Sequence, residues 1–167
     1  MEKQLFQLFQ QVMDQSSEKE KTVLKQLLVG FLDNISSDEP FLGSLFKMEK
    51  TVTESACKIT IPITELIHNH LDIVHGGITA TLLDSAMGTL ASYVAPPDHG
   101  AVTSNLNIHY IAPGKGESMT AIAKLIHKGS KTIVAEGEVY LNNGKKIAHS
   151  TGTFFIVKLQ KNENASI

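Results

Sequence analysis

The apolar positions of this chain fall into two rhythms. Leu5, Phe6, Leu8, Phe9, Val12 and Met13 recur at intervals of three and four, and Val23, Leu24, Leu27, Leu28 and Phe31 repeat that spacing after a polar break over residues 14–21. Such intervals place apolar side chains on one face of a helix, so two short helices are expected, followed by a polar loop over residues 33–40. From Gly43 the rhythm shortens. Ile59, Ile61 and Ile63 alternate with Lys58, Thr60 and Pro62, one apolar face against one polar face, as in a strand. After a loop over residues 65–73, a helical run is predicted over 76–93, stopping before Pro96-Pro97. Three strand-like segments follow over 101–111, 118–127 and 131–142, and Asn143-Gly144 is a hairpin signal leading into a last strand over 145–158.

This order, with one central helix and antiparallel strands around it, predicts an α+β architecture in which the helix lies against one curved sheet. The strands after the helix read as a meander of about four. Ala80, Ser85, Ala86, Gly88 and Ala91 are small, which lets a sheet wrap closely and bury the helix nearly all round. The expected organisation is a helical extension over 1–40, a main domain over 41–160 and a flexible tail over 161–167.

Length and charge narrow the functional classes. At 167 residues the chain suits one well-buried domain with an appendage. The net charge is −2, and the 15 cationic residues are all lysines spread along the chain; they form no basic footprint for nucleic acid. With no arginine, an anionic group must be met by ammonium groups, backbone N–H or a helix N-terminus. Cys57 is the only cysteine, so an internal disulfide framework and a cysteine-rich zinc site are excluded, and a reducing compartment fits best. The N-terminus has no apolar core of a signal peptide, and no apolar run approaches the ~20 residues of a membrane span. A cytoplasmic location without a membrane partner is expected.

The candidate chemistry sits in the stretch HNHLDIVHGGITATLLDSAMGTL, residues 68–90. Asp84 puts a carboxylate into a small, apolar helix, where desolvation demands a partner or a function. Its nearby hydroxyls are Thr81, Ser85 and Thr103. A helix beginning at Gly76-Gly77 presents N–H groups unobstructed by a Cβ, with the positive end of the helix dipole behind them, a place to stabilise an oxyanion. A plain glycine turn would have the same sequence. Gly76 and Asp84 are eight residues apart, roughly 12 Å along one helix, and cannot serve one carbonyl carbon. Two antiparallel helices in a symmetric dimer would bring them together from different chains.

Asn69, His75-Gly76-Gly77, Asp84 and the later stretch TSNLNIHYIAP, with Thr103 at its start and Pro113 at its end, resemble the hotdog-fold acyl-CoA thioesterases of the PaaI-like, phenylacetate-pathway type. The resemblance covers about residues 43–158. It implies a curved sheet wrapped around the long helix, hydrolysis of an acyl-CoA, and self-association as a homodimer or dimer of dimers. By the same resemblance Asp84 is a general base for water, or a nucleophile. The Gly76 N–H polarises the thioester oxygen, with Gly77 beside it at the substrate. Asn69 and His75 orient that site, and Thr103 holds the water or the carboxylate. The turn Lys128-Gly129-Ser130-Lys131-Thr132 falls where this family meets the CoA arm, and Tyr110 falls where it flanks the pantetheine channel. No cofactor is implied, because CoA is part of the substrate. Thioester chemistry agrees with this economy: with a good leaving group, a carboxylate base and an oxyanion donor suffice.

Two other functions use the same residues. A non-catalytic acyl-CoA sensor would share the fold, although it has no use for a costly buried acid. A hotdog hydratase or dehydratase would press His75 and Asp84 into work at the α and β carbons. The three histidines His68, His70 and His75 suggest a metal, but only Asp72 is near to complete a ligand set, and no metal is expected. No phosphate-loop or dinucleotide motif is present.

Overall fold

The computed structural model describes residues 1–37 and 40–159, so the tail expected over 161–167 lies outside the described residues. The chain divides into a helical unit, Met1–Met48, and a sheet unit that begins at Glu49. In the first, α1 (Glu2–Gln15) and α2 (Glu18–Ile35) carry the two apolar runs, with α2 extending into the polar break expected over 14–21 and the loop expected over 33–40. Ser17 starts α2: its hydroxyl accepts from the Glu20 N–H at 3.3 Å, and the Glu20 carboxylate accepts from the Ser17 N–H at 2.8 Å. This reciprocal cap explains why the polar break restarts a helix instead of becoming a loop.

The strand-like reading from Gly43 is corrected by a third helix, α3 (Phe41–Leu45). The reason is packing. A Cβ on Gly30 of α2 would lie 3.0 Å from Leu45 Cα and 3.0 Å from the Ser44 carbonyl, so the glycine lets the α3 backbone close onto α2. Residues 41–48 therefore group with the helices.

The sheet unit contains β1 (Glu49–Val52), β2 (Ala56–Pro62), α4 (Gly76–Val94), β3 (His99–Tyr110), β4 (Ser118–Lys128), β5 (Thr132–Leu141) and β6 (Lys146–Lys158). The strands form one sheet in the order β1-β2-β4-β5-β6-β3, with every neighbouring pair antiparallel. The expected meander holds for β4, β5 and β6. β3 departs from it, crossing to the far edge beside β6. Gly144, with φ 81°, makes the β5–β6 turn, and its N–H donates to the Leu141 carbonyl at 2.9 Å.

The core is the face of α4 that meets the sheet. Leu82, Leu83, Ala86, Met87, Leu90 and Ala91 are fully buried against Ile59, Ile61, Ala121, Ala123, Ala135 and Phe154. Alternation is strict in β5, where every second residue is buried. Several inward positions are small, and at Gly137 the space is gone: a Cβ there would stand 2.9 Å from Leu83 Cδ2. The α4 side chains take that volume. This is the α+β arrangement of a curved sheet on one central helix. No helix among the described residues is long and apolar enough to cross a membrane.

Candidate active site

His75 is the N-cap of α4, and its Nδ1 accepts the Gly77 N–H at 2.9 Å. A Cβ on Gly77 would stand 3.1 Å from that nitrogen, so glycine is what lets the imidazole fold over the amide. The Ile78 and Thr79 N–H groups go to the His75 carbonyl at 2.9 and 3.3 Å. Among the described residues, the Gly76 N–H has no acceptor. Of the two glycine amides considered from sequence, one is consumed by the cap and the other is left without an acceptor among the described residues.

Tyr110 stands over this helix start. Its hydroxyl donates to the Gly76 carbonyl at 3.0 Å, and its ring passes 3.5 Å from where a Gly76 Cβ would be. Gly76, Tyr110, Asn69, Val74, Thr79 and Pro113 help to line a cavity of about 380 Å³. Sequence reasoning named the first three. Thr79 and Val74 escaped it because a threonine in a helix and a valine in a loop carry no signal of a cavity wall. Asn69 shapes the loop: its Oδ1 accepts from the Leu71 N–H at 2.9 Å, and its own N–H donates to the Ile73 carbonyl at 2.8 Å.

Asp84 lies half-buried on α4 and receives a hydrogen bond from Thr103 Oγ1 on Oδ1 at 2.8 Å. Thr81 turns instead to the Gly77 carbonyl at 2.9 Å. Of the three hydroxyls weighed from sequence, Thr103 is the partner. Among the described residues, no other group bonds the Asp84 carboxylate.

A β-bulge makes this geometry possible. Thr103 and Tyr110 are seven residues apart on β3, and in a regular strand an odd separation sends two side chains to opposite faces. The register of β3 on β6 shifts between Thr103 and Asn105, adding one residue and restoring the parity. Ser104 occupies the shift and donates to the Thr153 carbonyl at 3.0 Å. Both Thr103 and Tyr110 then reach α4, one at Asp84 and the other at Gly76.

The lysine turn lies at the Thr103 end of the sheet. Ile133 pairs with Phe154, which pairs with Thr103, and Thr132 pairs with Phe155 beside them. Thr132 is therefore about 10 Å from the Thr103 row, two strand spacings away, and Lys128, on β4, is one spacing further. Lys128, Ser130 and Lys131 are exposed, and the Gly129 N–H closes the turn on the Thr132 carbonyl at 2.8 Å. The histidines do not assemble as a triad: His68 faces Glu65 and Asp72, while His75 caps α4. Cys57 is fully buried in β2, and burial pushes its thiol above the ordinary range.

Comparison with known proteins places this geometry. The thioesterase superfamily model matches residues 71–148, from the loop before α4 into β6. The BH2602 protein of Bacillus halodurans, solved with CoA, is 40% identical, with a TM-score of 0.82 over 87% of this chain and 98% of that one. The chain belongs to the thioesterase superfamily. The medium/long-chain acyl-CoA thioesterase YigI of Escherichia coli K12 is 30% identical over 97 residues, which cover 50% of this chain and 63% of that protein. This chain thus spans less than two thirds of that relative. The PaaI protein from the phenylacetic acid degradation operon of E. coli shares the hotdog fold, with 20% identity and a TM-score of 0.67 over 83% of this chain and 99% of that one.

Proposed function

We propose that this superfamily member hydrolyses acyl-CoA thioesters, with Asp84 activating water and the Gly76 N–H polarising the thioester oxygen. The observation that carries the reading is the Thr103–Asp84 hydrogen bond of 2.8 Å. By donating to Oδ1, Thr103 holds the carboxylate in one orientation and leaves Oδ2 for a water. Asp84 takes a proton from that water as its oxygen attacks the carbonyl carbon. The developing oxyanion is met by the Gly76 amide at the positive end of α4. Collapse breaks the C–S bond, and the CoA thiolate leaves and is protonated. His75 and Asn69 shape the helix start, and Tyr110 fixes the Gly76 peptide from its carbonyl side. The exposed Lys128 and Lys131 ammonium groups offer charge to phosphates of the CoA arm.

Gly76 and Asp84 remain roughly 12 Å apart on one helix, so the proposed reaction needs a second copy of the chain. β3 supports that requirement. It is a 12-residue strand at the sheet edge, with backbone groups available for pairing, and it carries Thr103 and Tyr110. A two-fold axis beside it would bring the Asp84 of one protomer toward the Gly76 of its partner.

Thiol release from a panel of aromatic and aliphatic acyl-CoAs tests the reading. The buried Cys57 thiol keeps the chain's own background low. Asp84→Asn is expected to lose about 100-fold or more in kcat, the scale of general-base catalysis, while acyl-CoA affinity is retained. Binding without thiol release by the wild type would favour the sensor. Addition or loss of water at the β carbon, with the thioester intact, would favour the hydratase.

A further inference from the structure

Residues 65–72 gather a second group of side chains that the proposed reaction does not use. His68 Nδ1 stands 3.4 Å from Glu65 Oε2 and 3.2 Å from Asp72 Oδ1. One donor atom from each of the three residues lies within 4.8 Å of the other two. Glu65 opens a short 3-10 turn and His68 closes it, while Asp72 comes back over the same spot from the end of the loop, its N–H bonded to the Asn69 carbonyl at 3.0 Å.

Two features set the cluster apart from an ordinary ion pair. The His68 Nδ1 atom is buried, yet it has no hydrogen-bond partner. Both carboxylate oxygens are near enough, so it is direction that fails. A ring nitrogen pointing at neither of two flanking oxygens suits an ion shared by all three. The separations also fit. Nitrogen and oxygen ligands of a tetrahedral zinc ion, each about 2.0–2.2 Å from the metal, stand roughly 3.3–3.5 Å from one another. The imidazole–Glu65 distance of 3.4 Å falls inside that spacing, and the imidazole–Asp72 distance of 3.2 Å lies just below it.

We propose that Glu65, His68 and Asp72 form a binding site for a zinc-like divalent transition-metal ion, with water completing the shell. One imidazole with two carboxylates is a borderline-hard set, suited to zinc and manganese more than to soft copper(I). The site is structural. Asn69, between His68 and Asp72 in the chain, lines the cavity at the start of α4, whereas the three ligands do not. A bound ion would tie the two ends of the loop that carries Asn69.

The test uses untagged full-length protein, stripped with a chelator and titrated with Zn²⁺ by calorimetry, with thermal unfolding followed in parallel. One equivalent per chain and a zinc-dependent rise in Tm are expected. Asp72→Asn and Glu65→Gln should each weaken binding at least ten-fold and lose most of the Tm rise. Their side chains are 74% and 38% exposed, so an unchanged circular dichroism spectrum is expected. His149→Gln, on the sheet, should bind as the wild type does. No uptake by the folded wild type, or uptake that survives both carboxylate variants, would overturn the proposal and leave a histidine ion-paired with two acids. Neither measurement depends on turnover, so failure here is distinguishable from failure of the hydrolysis reading.

Discussion

At position 75 one ring nitrogen decides how many amides the start of α4 can offer. His75 Nδ1 accepts the Gly77 N–H, which takes that amide up in the cap. Removing such a cap typically costs about 1 kcal/mol. His75→Ala should lower unfolding stability by about that amount in a urea titration, and His75→Asn, whose amide oxygen reaches a similar place, should recover most of it. The sequence pointed to the glycine pair as an oxyanion site. It could not assign the Gly77 amide to the histidine beside it, because that depends on a rotamer. Asp84 was legible as an anomaly for a simple reason: a carboxylate in an apolar helix conflicts with burial. Its partner was one of three hydroxyls until β3 was seen to pass beside α4.

At the scale of elements, helix and strand periods carried α4 and β4 to β6 almost to their ends, since each buries a regular face of the sheet unit, whereas α1 and α2 followed the helical period with no buried residue in α1 and only Gly30 and Asn34 buried in α2. The periods failed at α3, where alternating residues are held as a helix by packing on α2, and at the β3 bulge, whose extra residue leaves no mark in composition. Close packing of α4 on β5 gives a direct test. Gly137→Ala would place a Cβ 2.9 Å from Leu83 Cδ2, and overpacking of this kind costs about 1–3 kcal/mol, readable as a lower urea midpoint with an unchanged slope.

Glu138 on β5 accepts hydrogen bonds from Lys146 and, at 2.7 Å, from the Tyr140 hydroxyl. Lys146, then Tyr140, hold the Glu138 carboxyl below its ordinary range, while the bond to Glu138 raises both Lys146 and Tyr140. The Glu138 contribution to stability is therefore complete above the ordinary glutamate range and is lost as pH falls through the lowered value. The Lys146 and Tyr140 contributions are complete below their ordinary ranges and are lost as pH rises through the raised ones. Urea unfolding across pH should show a neutral plateau from this trio, and Glu138→Gln should flatten its acid edge.

At the scale of the whole molecule, the proposed site is complete only in an assembly. Mixing Gly76→Pro protomers with Asp84→Ala protomers tests this. Proline suits the first position of a helix, and a Cβ at Gly76 meets only ordinary contacts, the nearest at 3.5 Å, so the first variant should fold while lacking the amide. A heterodimer then holds one intact pair and one doubly broken pair. With random exchange, about a quarter of the wild-type activity should return from two inactive parents. Activity that never rises above the parents, in dimers shown to be mixed, would place both groups of a working site in one chain.

By itself the sequence determined the helix-and-sheet pattern, the glycine-started helix with its displaced acid, and the exclusion of an internal disulfide framework. These are properties of local period, chemistry and residue counts, which neighbours along the chain define. Only the tertiary structure decided that β3 runs at the far edge beside β6, that a bulge turns Thr103 and Tyr110 onto the same helix, and that His68 faces two acids instead of two histidines. Each of these depends on which distant segments pack together, and a one-residue shift in register reverses where a side chain points.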